Sequence, residues 1–441
     1  METEVCSVAP SDWAIKTVGE VCINVTSGGT PSRRNSIFYE NGKWGWVKTQ
    51  ELRDKWIDDT DERITEEAVN SSSAKVLPQN TVLLAMYGAT VGQLGLLRYP
   101  MTCNQACCAM VVNEDEADFR YLFYQLLFAR PQLKSLASGA AQQNLSGTLV
   151  RSLGFPFPKL SEQQAIGRVL GTLDDKIELN RKMNETLEGI VQAIFQSWFI
   201  DFDPVRAKME GRKPSRMDAA TAALFPDSFE DSELGEIPKG WAIRPLPEAI
   251  DVNPLRSLKK GDVAPYLDMA NMPTNSARAF HVFDREFGSG TKFMNGDTLV
   301  ARITPCLENG KTAFVDFLWP GKIGWGSTEF IVLRPKPPLP SEFAYFLARS
   351  DSFRSYAIAN MSGTSGRQRV PADCFVHFQI CIPPTPIAKA FGEIADGFMK
   401  KMKINDQESG TLASLRDTLL PKLISGEIRF DSKGEAACLI S

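Results

Sequence analysis

The chain repeats itself. "DWAIKTVGEV", Asp12 to Val21, returns as "GWAIRPLPEA", Gly240 to Ala249, with Trp13-Ala14-Ile15 matching Trp241-Ala242-Ile243. "QNTVLLAMYGATVGQLGLL" (Gln79 to Leu97) is similar to "GDTLVARITPCLENGKTAFV" (Gly296 to Val315). Each is an apolar β-type run, a Gly or Pro turn and a second short run, which predicts a hairpin. "YLFYQLL" (Tyr121 to Leu127) matches "FAYFLAR" (Phe343 to Arg349) as a short helix. "SGAAQQNL" (Ser138 to Leu145) parallels "SGTSGRQRV" (Ser362 to Val370) as a glycine-rich loop. "GFPFP" (Gly154 to Pro158) parallels "QICIPP" (Gln379 to Pro384) as a strand ending in proline. Such an internal repeat decides architecture before any local motif does.

The register then holds without a gap. Gly392 follows Gly167 and Asn405 follows Asn180 by the same interval, 392 − 167 and 405 − 180. Each half is therefore a globular α+β unit followed by a long helix. In the first helix, Ile166, Leu170, Leu173, Ile177, Asn180, Asn184, Leu187, Val191, Ile194 and Trp198 alternate four and three residues apart, a heptad seam. The second copy gives Phe391, Ala395, Phe398, Met402, Asn405, Ser409 and Leu412, then drifts onto Leu415, Leu419 and Leu423. Ser161 with Gln164 resembles a capping box at the first helix start, and Pro204 and Gly426 lie near the two ends. The domains read as 1–160 and 241–385 for the globular units, 161–202 and 386–426 for the helices, 203–240 for a linker and 427–441 for a frayed tail. Asparagines at matching seam positions favour one register, because an unpaired amide in an apolar seam is costly. Two related units with such helices suggest a bipartite ligand, and duplex DNA offers two half-sites.

Composition narrows the function classes. A chain of 441 residues allows two or three domains, and 43% hydrophobic with 23% charged residues is ordinary for a soluble globular protein. No apolar run is long enough to span a bilayer, and "METEVCSVAPSDW" has no secretory signal pattern. Nine irregularly spaced cysteines read as reduced thiols; Cys103, Cys107 and Cys108 cluster without the second pair a zinc site needs. The net charge of −4 is not that of a small basic DNA-binding protein, so DNA contact requires local basic patches or a partner that shares the phosphates.

Several stretches together resemble the specificity subunits of type I restriction–modification enzymes. They are "GGTPSR" (Gly28 to Arg33), "PKLSEQQAIGRVLGTLDDKIELN" (Pro158 to Asn180), "WFIDFDPVRAKMEGR" continuing into "ALFPDSFEDSELGEIPKGW" (Trp198 to Trp241), "SGRQRVP" (Ser365 to Pro371) and "LLPKLISGEI" (Leu419 to Ile428). The resemblance covers nearly the whole chain. It implies an α+β protein of two pseudo-symmetric target recognition domains separated by two long helices that form an antiparallel coiled coil. Each domain would read half of a split target in double-stranded DNA. The resemblance also implies docking of two methyltransferase subunits, and of motor–nuclease subunits in the full complex. S-adenosylmethionine, ATP and Mg2+ would then sit on those partners, with no cofactor bound by this chain, and the setting would be cytoplasmic.

The chain carries no recognisable catalytic centre of its own. "PCLENGKT", Pro305 to Thr312, lacks the first glycine of a P-loop and reads as a turn. "NPL", Asn253 to Leu255, lacks the rest of an adenine-methyltransferase motif. His281 and His377 have no metal-ligand partner nearby in sequence and read as satisfied structural histidines.

Candidate DNA-contacting residues are Thr30, Ser32, Arg33 and Arg34 in "TPSRRN", then Lys43, Lys48 and Arg53 interleaved with Trp44 and Trp46, which read as core or strand residues. Gln142, Gln143 and Asn144 follow in the glycine-rich loop. The second half offers Lys292, Arg302, Arg367, Gln368 and Arg369. Amides can read adenine N6/N7, and arginine can read guanine O6/N7. In the linker, "VRAKMEGRKPSR" is locally basic, which suits contact with phosphate, but reads first as an exposed connector. Two other classes stay open: a fused methyltransferase or nuclease that reads its own site, and a scaffold that bridges two proteins without reading DNA.

Overall fold

The computed structural model describes residues 3–4, 10–138, 144–279, 281–364, 366–430 and 436–437. It divides into two compact units, Met1–Glu178 with Ser409–Ser441, and Leu179–Glu408.

In the first unit, β1 (Ala14–Thr17) pairs antiparallel with β10 (Leu153–Phe157), so the tryptophan-led strand meets the proline-ended one. A five-stranded sheet has the order β2 (Cys22–Ser27), β9 (Cys107–Val112), β6 (Val82–Ala85), β7 (Leu94–Leu97), β4 (Lys55–Ile57). The expected hairpin is its β6–β7 pair, with Val82 opposite Leu96. A second small sheet runs β5 (Arg63–Ile64), β3 (Trp44–Val47), β8 (Thr102–Cys103), with β3 and β8 parallel. Helix α1 (Phe119–Phe128) packs its apolar side on the five-stranded sheet.

The β6 run is apolar without alternation because both of its faces are buried. Val82 and Leu84 enter one core and Leu83 and Ala85 another, as side chains two apart share a face. Cys107 and Cys108 do the same, so the clustered thiols are core residues on opposite faces.

The second unit repeats the plan. After a hairpin of β11 (Phe229–Ser232) and β12 (Gly235–Pro238), β13 (Ala242–Pro245) pairs with β22 (Gln379–Ile382). One sheet has the order β14 (Ile250–Val252), β21 (Phe330–Pro335), β18 (Thr298–Ala301), β19 (Thr312–Phe314). Another has the order β16 (Phe283–Glu286), β15 (Val263–Leu267), β20 (Gly324–Gly326), β17 (Thr291–Phe293), again with one parallel pair, β15 with β20. Helix α3 (Ser341–Ala348) takes the place of α1.

The long helices are α2 (Leu160–Phe199) and α4 (Thr385–Ile424). They pair antiparallel. In the first unit, Ile166 and Leu170 of α2 share a core with Leu423 and Ile424 of α4, and Arg416 bridges Asp174 at 2.7 Å. In the second, Asn180 donates to the Asn405 carbonyl at 3.3 Å and to Glu408 at 2.8 Å, while Asn184 donates to Asp406 at 2.7 Å. Rising numbers on one helix meet falling numbers on the other.

Of the seam positions, Ile166, Leu170, Asn180, Val191, Phe391, Met402 and Asn405 are buried. Leu173, Ile177, Asn184, Leu187, Ile194, Phe398, Leu412 and Leu419 are half-buried. Phe195 and Met399 are buried one residue beyond Ile194 and Phe398, and Leu415 is 46% exposed. Here the helices pack against globular cores as well as each other, so they follow the 3.6-residue period, which drifts by about 20° per heptad from a strict seam. Ser161 is no cap: the helix starts at Leu160, and the carbonyl of Lys159 accepts from the amides of Glu162 and Gln163.

The repeat extends to how each helix meets its unit. A Cβ on Gly167 would lie 2.6 Å from the carboxylate of Asp118, the N-cap of α1; one on Gly392 would lie 2.8 Å from Pro340, the N-cap of α3. The expected connector 203–240 is built into the second unit. It forms short helices at Asp203–Met209 and Ala219–Leu224 and buries Val205, Phe225 and Ile237. Two of its basic residues make internal contacts: Lys208 donates to the carbonyl of Ala222, and Arg206 lies 5.0 Å over the Phe229 ring. Of the tail, Ala436–Ala437 pairs with Arg429–Phe430; residues 431–435 and 438–441 lie outside the described residues.

Candidate nucleic-acid interface

In the first unit the loop before β3 and the strand itself converge on Glu62. Arg33 reaches this carboxylate with both terminal nitrogens, one at 3.2 Å, and Lys48 reaches it at 2.9 Å. The Arg33 guanidinium also lies over the rings of Tyr39 (4.6 Å) and Trp46 (4.9 Å). The Trp46 indole N–H donates to the Gly29 carbonyl at 2.9 Å, which ties β3 to the glycine turn. Hydrogen bonds from Arg33 and then Lys48 bring the Glu62 carboxyl down to about 2, so it stays charged at any physiological pH.

The other candidates on this unit differ in freedom. Thr30 is hydrogen-bonded to the Gln105 side chain, and Lys43 pairs with Glu66 at 3.1 Å above the Trp44 ring. Ser32, Arg34 and Arg53 are exposed, and neither arginine has an ion pair among the described residues. Gln142 and Gln143 lie outside the described residues. Asn144 is exposed and bridges Tyr87 through the backbone.

In the second unit the glycine-rich loop packs beside the end of β18. Arg369 is held by backbone bridges to Ile303 and Ser362. Its side chain grips Glu329, with Nε at 2.9 Å from both carboxylate oxygens and Nη2 at 2.8 Å from one. The Arg369 hydrogen bonds lower the Glu329 carboxyl below its ordinary range, and nearby Arg302 adds to this. Arg302 and Gln368 are half-buried. Lys292 is also half-buried, 4.9 Å over the Phe287 ring. Arg367 is exposed between positive-φ glycines at 363 and 366 on one side and Gln368 on the other.

Main-chain hydrogen bonds put the two loops in register. Met86 N–H donates to the Ala106 carbonyl as Arg302 does to that of Glu329, both at 2.9 Å. Leu145 donates to Met86 (2.9 Å) as Val370 does to Arg302 (2.8 Å). Met86, Ala106 and Asn144 therefore stand where Arg302, Glu329 and Arg369 stand in the other unit. Sequence reasoning missed Glu62, Glu329 and Gln105, since acids and a lone amide carry no phosphate-binding signal.

Pro305 to Thr312 is a turn whose Lys311 donates to the Met269 carbonyl at 2.6 Å, not a phosphate cradle. Both histidines are exposed, with His281 beside the Phe283 ring. Among the described residues no histidine, cysteine or carboxylate group is placed to hold a metal, and no helix is long and apolar enough to cross a membrane.

Comparison with known proteins follows the same lines. Residues 10–189 match the family described as type I restriction modification DNA specificity domain. The type I restriction enzyme MjaIX specificity subunit of Methanocaldococcus jannaschii is 26% identical over 98% of this chain and 96% of its own length. The HindI specificity subunit of Haemophilus influenzae is 27% identical over 63% of this chain and 70% of its own. The crystal structure of a type I restriction-modification S subunit from M. genitalium shares the fold, with a TM-score of 0.53 at 16% identity, over 96% of this chain and 98% of that one.

Proposed function

We propose that this chain is a specificity subunit of the type I restriction–modification family, like the proteins it is similar to, and that it reads a bipartite target in double-stranded DNA, one half with each unit. The observation that carries this is the matched set of main-chain hydrogen bonds at Met86 and Leu145 in one unit and at Arg302 and Val370 in the other. Two equivalent loops with unlike side chains suit two half-sites of unlike sequence.

In this reading the α2–α4 pair sets the gap between half-sites and docks two methyltransferase subunits, with motor–nuclease subunits in the full complex. S-adenosylmethionine, ATP and Mg2+ belong to those partners, and the complex works in the cytoplasm. Exposed Arg34, Arg53 and Arg367 supply phosphate contacts, which fix register without reading sequence.

The test is the methylated-adenine motif, mapped genome-wide in a host carrying this chain with its partner subunits. A split motif is expected. Matched four-residue insertions between Glu178 and Leu179 and between Glu408 and Ser409 add about 6 Å to each helix. At 3.4 Å per base pair, the gap should grow by about one or two base pairs. Activity with an unchanged gap would leave the helices a role in assembly alone. Saturable S-adenosylmethionine binding by the isolated chain would favour the fused-enzyme reading instead.

A further inference from the structure

Resting on that DNA-reading function, we infer that Arg369 reads a guanine in the half-site of the second unit, with Glu329 as the positioning residue that aims it. A guanidinium has two edges that can donate in parallel: a side edge, Nε–H with Nη2–H, and an end edge, Nη1–H with the outer Nη2–H. Glu329 takes the side edge of Arg369. The end edge has no partner among the described residues, and the side chain is 45% exposed. That edge is the fork that matches guanine N7 and O6 in the major groove. Because the carboxylate and the two backbone bridges already fix the fork, little freedom is lost when it meets the base.

Arg33 shows the contrast. Its end edge is the one that Glu62 occupies, and two aromatic rings cover the guanidinium. Its geometry makes it part of the frame. The paired arginine of the second unit is the one left with a reading edge.

Two further polar atoms at the same junction are left unsatisfied. Arg302 Nε and Thr304 Oγ1 are buried and have no hydrogen-bond partner among the described residues, and the Thr304 amide itself donates to the Gln368 carbonyl at 3.1 Å. Buried polar atoms are rarely left so, and those that are call for a partner. The device belongs to one unit only, since Met86, Ala106 and Asn144 fill the equivalent places without charge. The guanine requirement therefore falls on one half-site.

The experiment uses the full chain assembled with its methyltransferase subunits and selects bound duplexes from a pool randomised across the target. The unmodified complex should demand a G·C pair at one position of one half-site. Arg369→Lys keeps the charge and loses the fork; it should lose about tenfold or more of the discrimination at that pair, the worth of one bidentate contact. Glu329→Gln should weaken discrimination at the same pair, with the other half-site unchanged in both variants. A change confined to one base pair is something a merely structural role would not produce. If both variants select the same target as the unmodified complex, or if neither half-site holds an obligatory G·C pair, the inference is overturned. A complex that selects no sequence at all removes the DNA-reading function, and this inference with it.

Discussion

Asn180 and Asn405 hold the same place in the two copies of the repeat, and the amide of the first donates to the backbone carbonyl of the second at 3.3 Å. Asn405 in turn donates to the Asn184 side chain at 2.8 Å. Both residues are buried, so each amide lies where register errors would strand it. Asn405→Ala removes the donor to Asn184 Oδ1 and leaves that half-buried acceptor without it, a cost of roughly 1–3 kcal/mol. The urea midpoint should fall accordingly. The double variant Asn184→Leu with Asn405→Leu should cost less than the two single ones together, because Asn405 Nδ2 and Asn184 Oδ1 are partners in one side-chain hydrogen bond and both then leave the seam. Equal or additive costs would show that the pair is not coupled.

Phe391 is the centre of the second unit. Its ring lies within 5.1 to 6.4 Å of the rings of Phe195, Trp198, Phe199, Phe343 and Phe346, and it is fully buried. Phe391→Ala should therefore destabilise this unit by about 3–5 kcal/mol. Urea unfolding followed by tryptophan fluorescence, to which Trp198 and Trp241 contribute among eight tryptophans, reads it. A loss below about 1 kcal/mol would mean that the cluster repacks around the cavity.

The repeat was the part of this fold that sequence could reach. Its matched strands, hairpins and short helices recur because the two copies bury the same positions. The helix seam was legible for the same reason, until Phe195 and Met399 displaced the strict heptad where globular cores press on the helices. The division of labour among the arginines was not legible. Arg33 is fixed by a glutamate 29 residues away and Arg369 by one 40 residues away. Which edge each carboxylate takes depends on strand pairing that no local pattern encodes. Within the connector, prolines and charges masked Val205 and Phe225, which are core residues, although most of the stretch is exposed.

The Arg33–Glu62–Lys48 cluster sets a pH dependence. The folded-state carboxyl titrates at about 2, below the ordinary value of 4.5, so its contribution is full above the unfolded value and is lost as pH falls towards 2. Glu62→Gln should lower stability by on the order of 1 kcal/mol at neutral pH, the low figure reflecting partial exposure. The difference from the unmodified chain should stay constant above about pH 5 and shrink below it. Urea titrations across that range measure it. A difference that grows on acidification has the wrong sign for this cluster.

The helix glycines should divide by position. Gly189, Gly397 and Gly410 have no described atom within 4 Å of where a Cβ would sit. At each, alanine should stabilise the chain by about 0.5–1 kcal/mol, because glycine is the poorer helix former. Gly167 and Gly392 lie in the same two helices, and propensity alone would give them the same gain. Their added Cβ atoms, however, would meet Asp118 at 2.6 Å and Pro340 at 2.8 Å. Asp118 accepts the Tyr121 amide at the start of α1, and its carboxyl is already pushed up by burial, so it has little room to withdraw. Pro340 is a rigid ring at the start of α3. Gly167→Ala and Gly392→Ala should each lower the thermal midpoint, and the three exposed substitutions should raise it. If all five move it upward, the close seating of each helix on its unit is looser than these distances require.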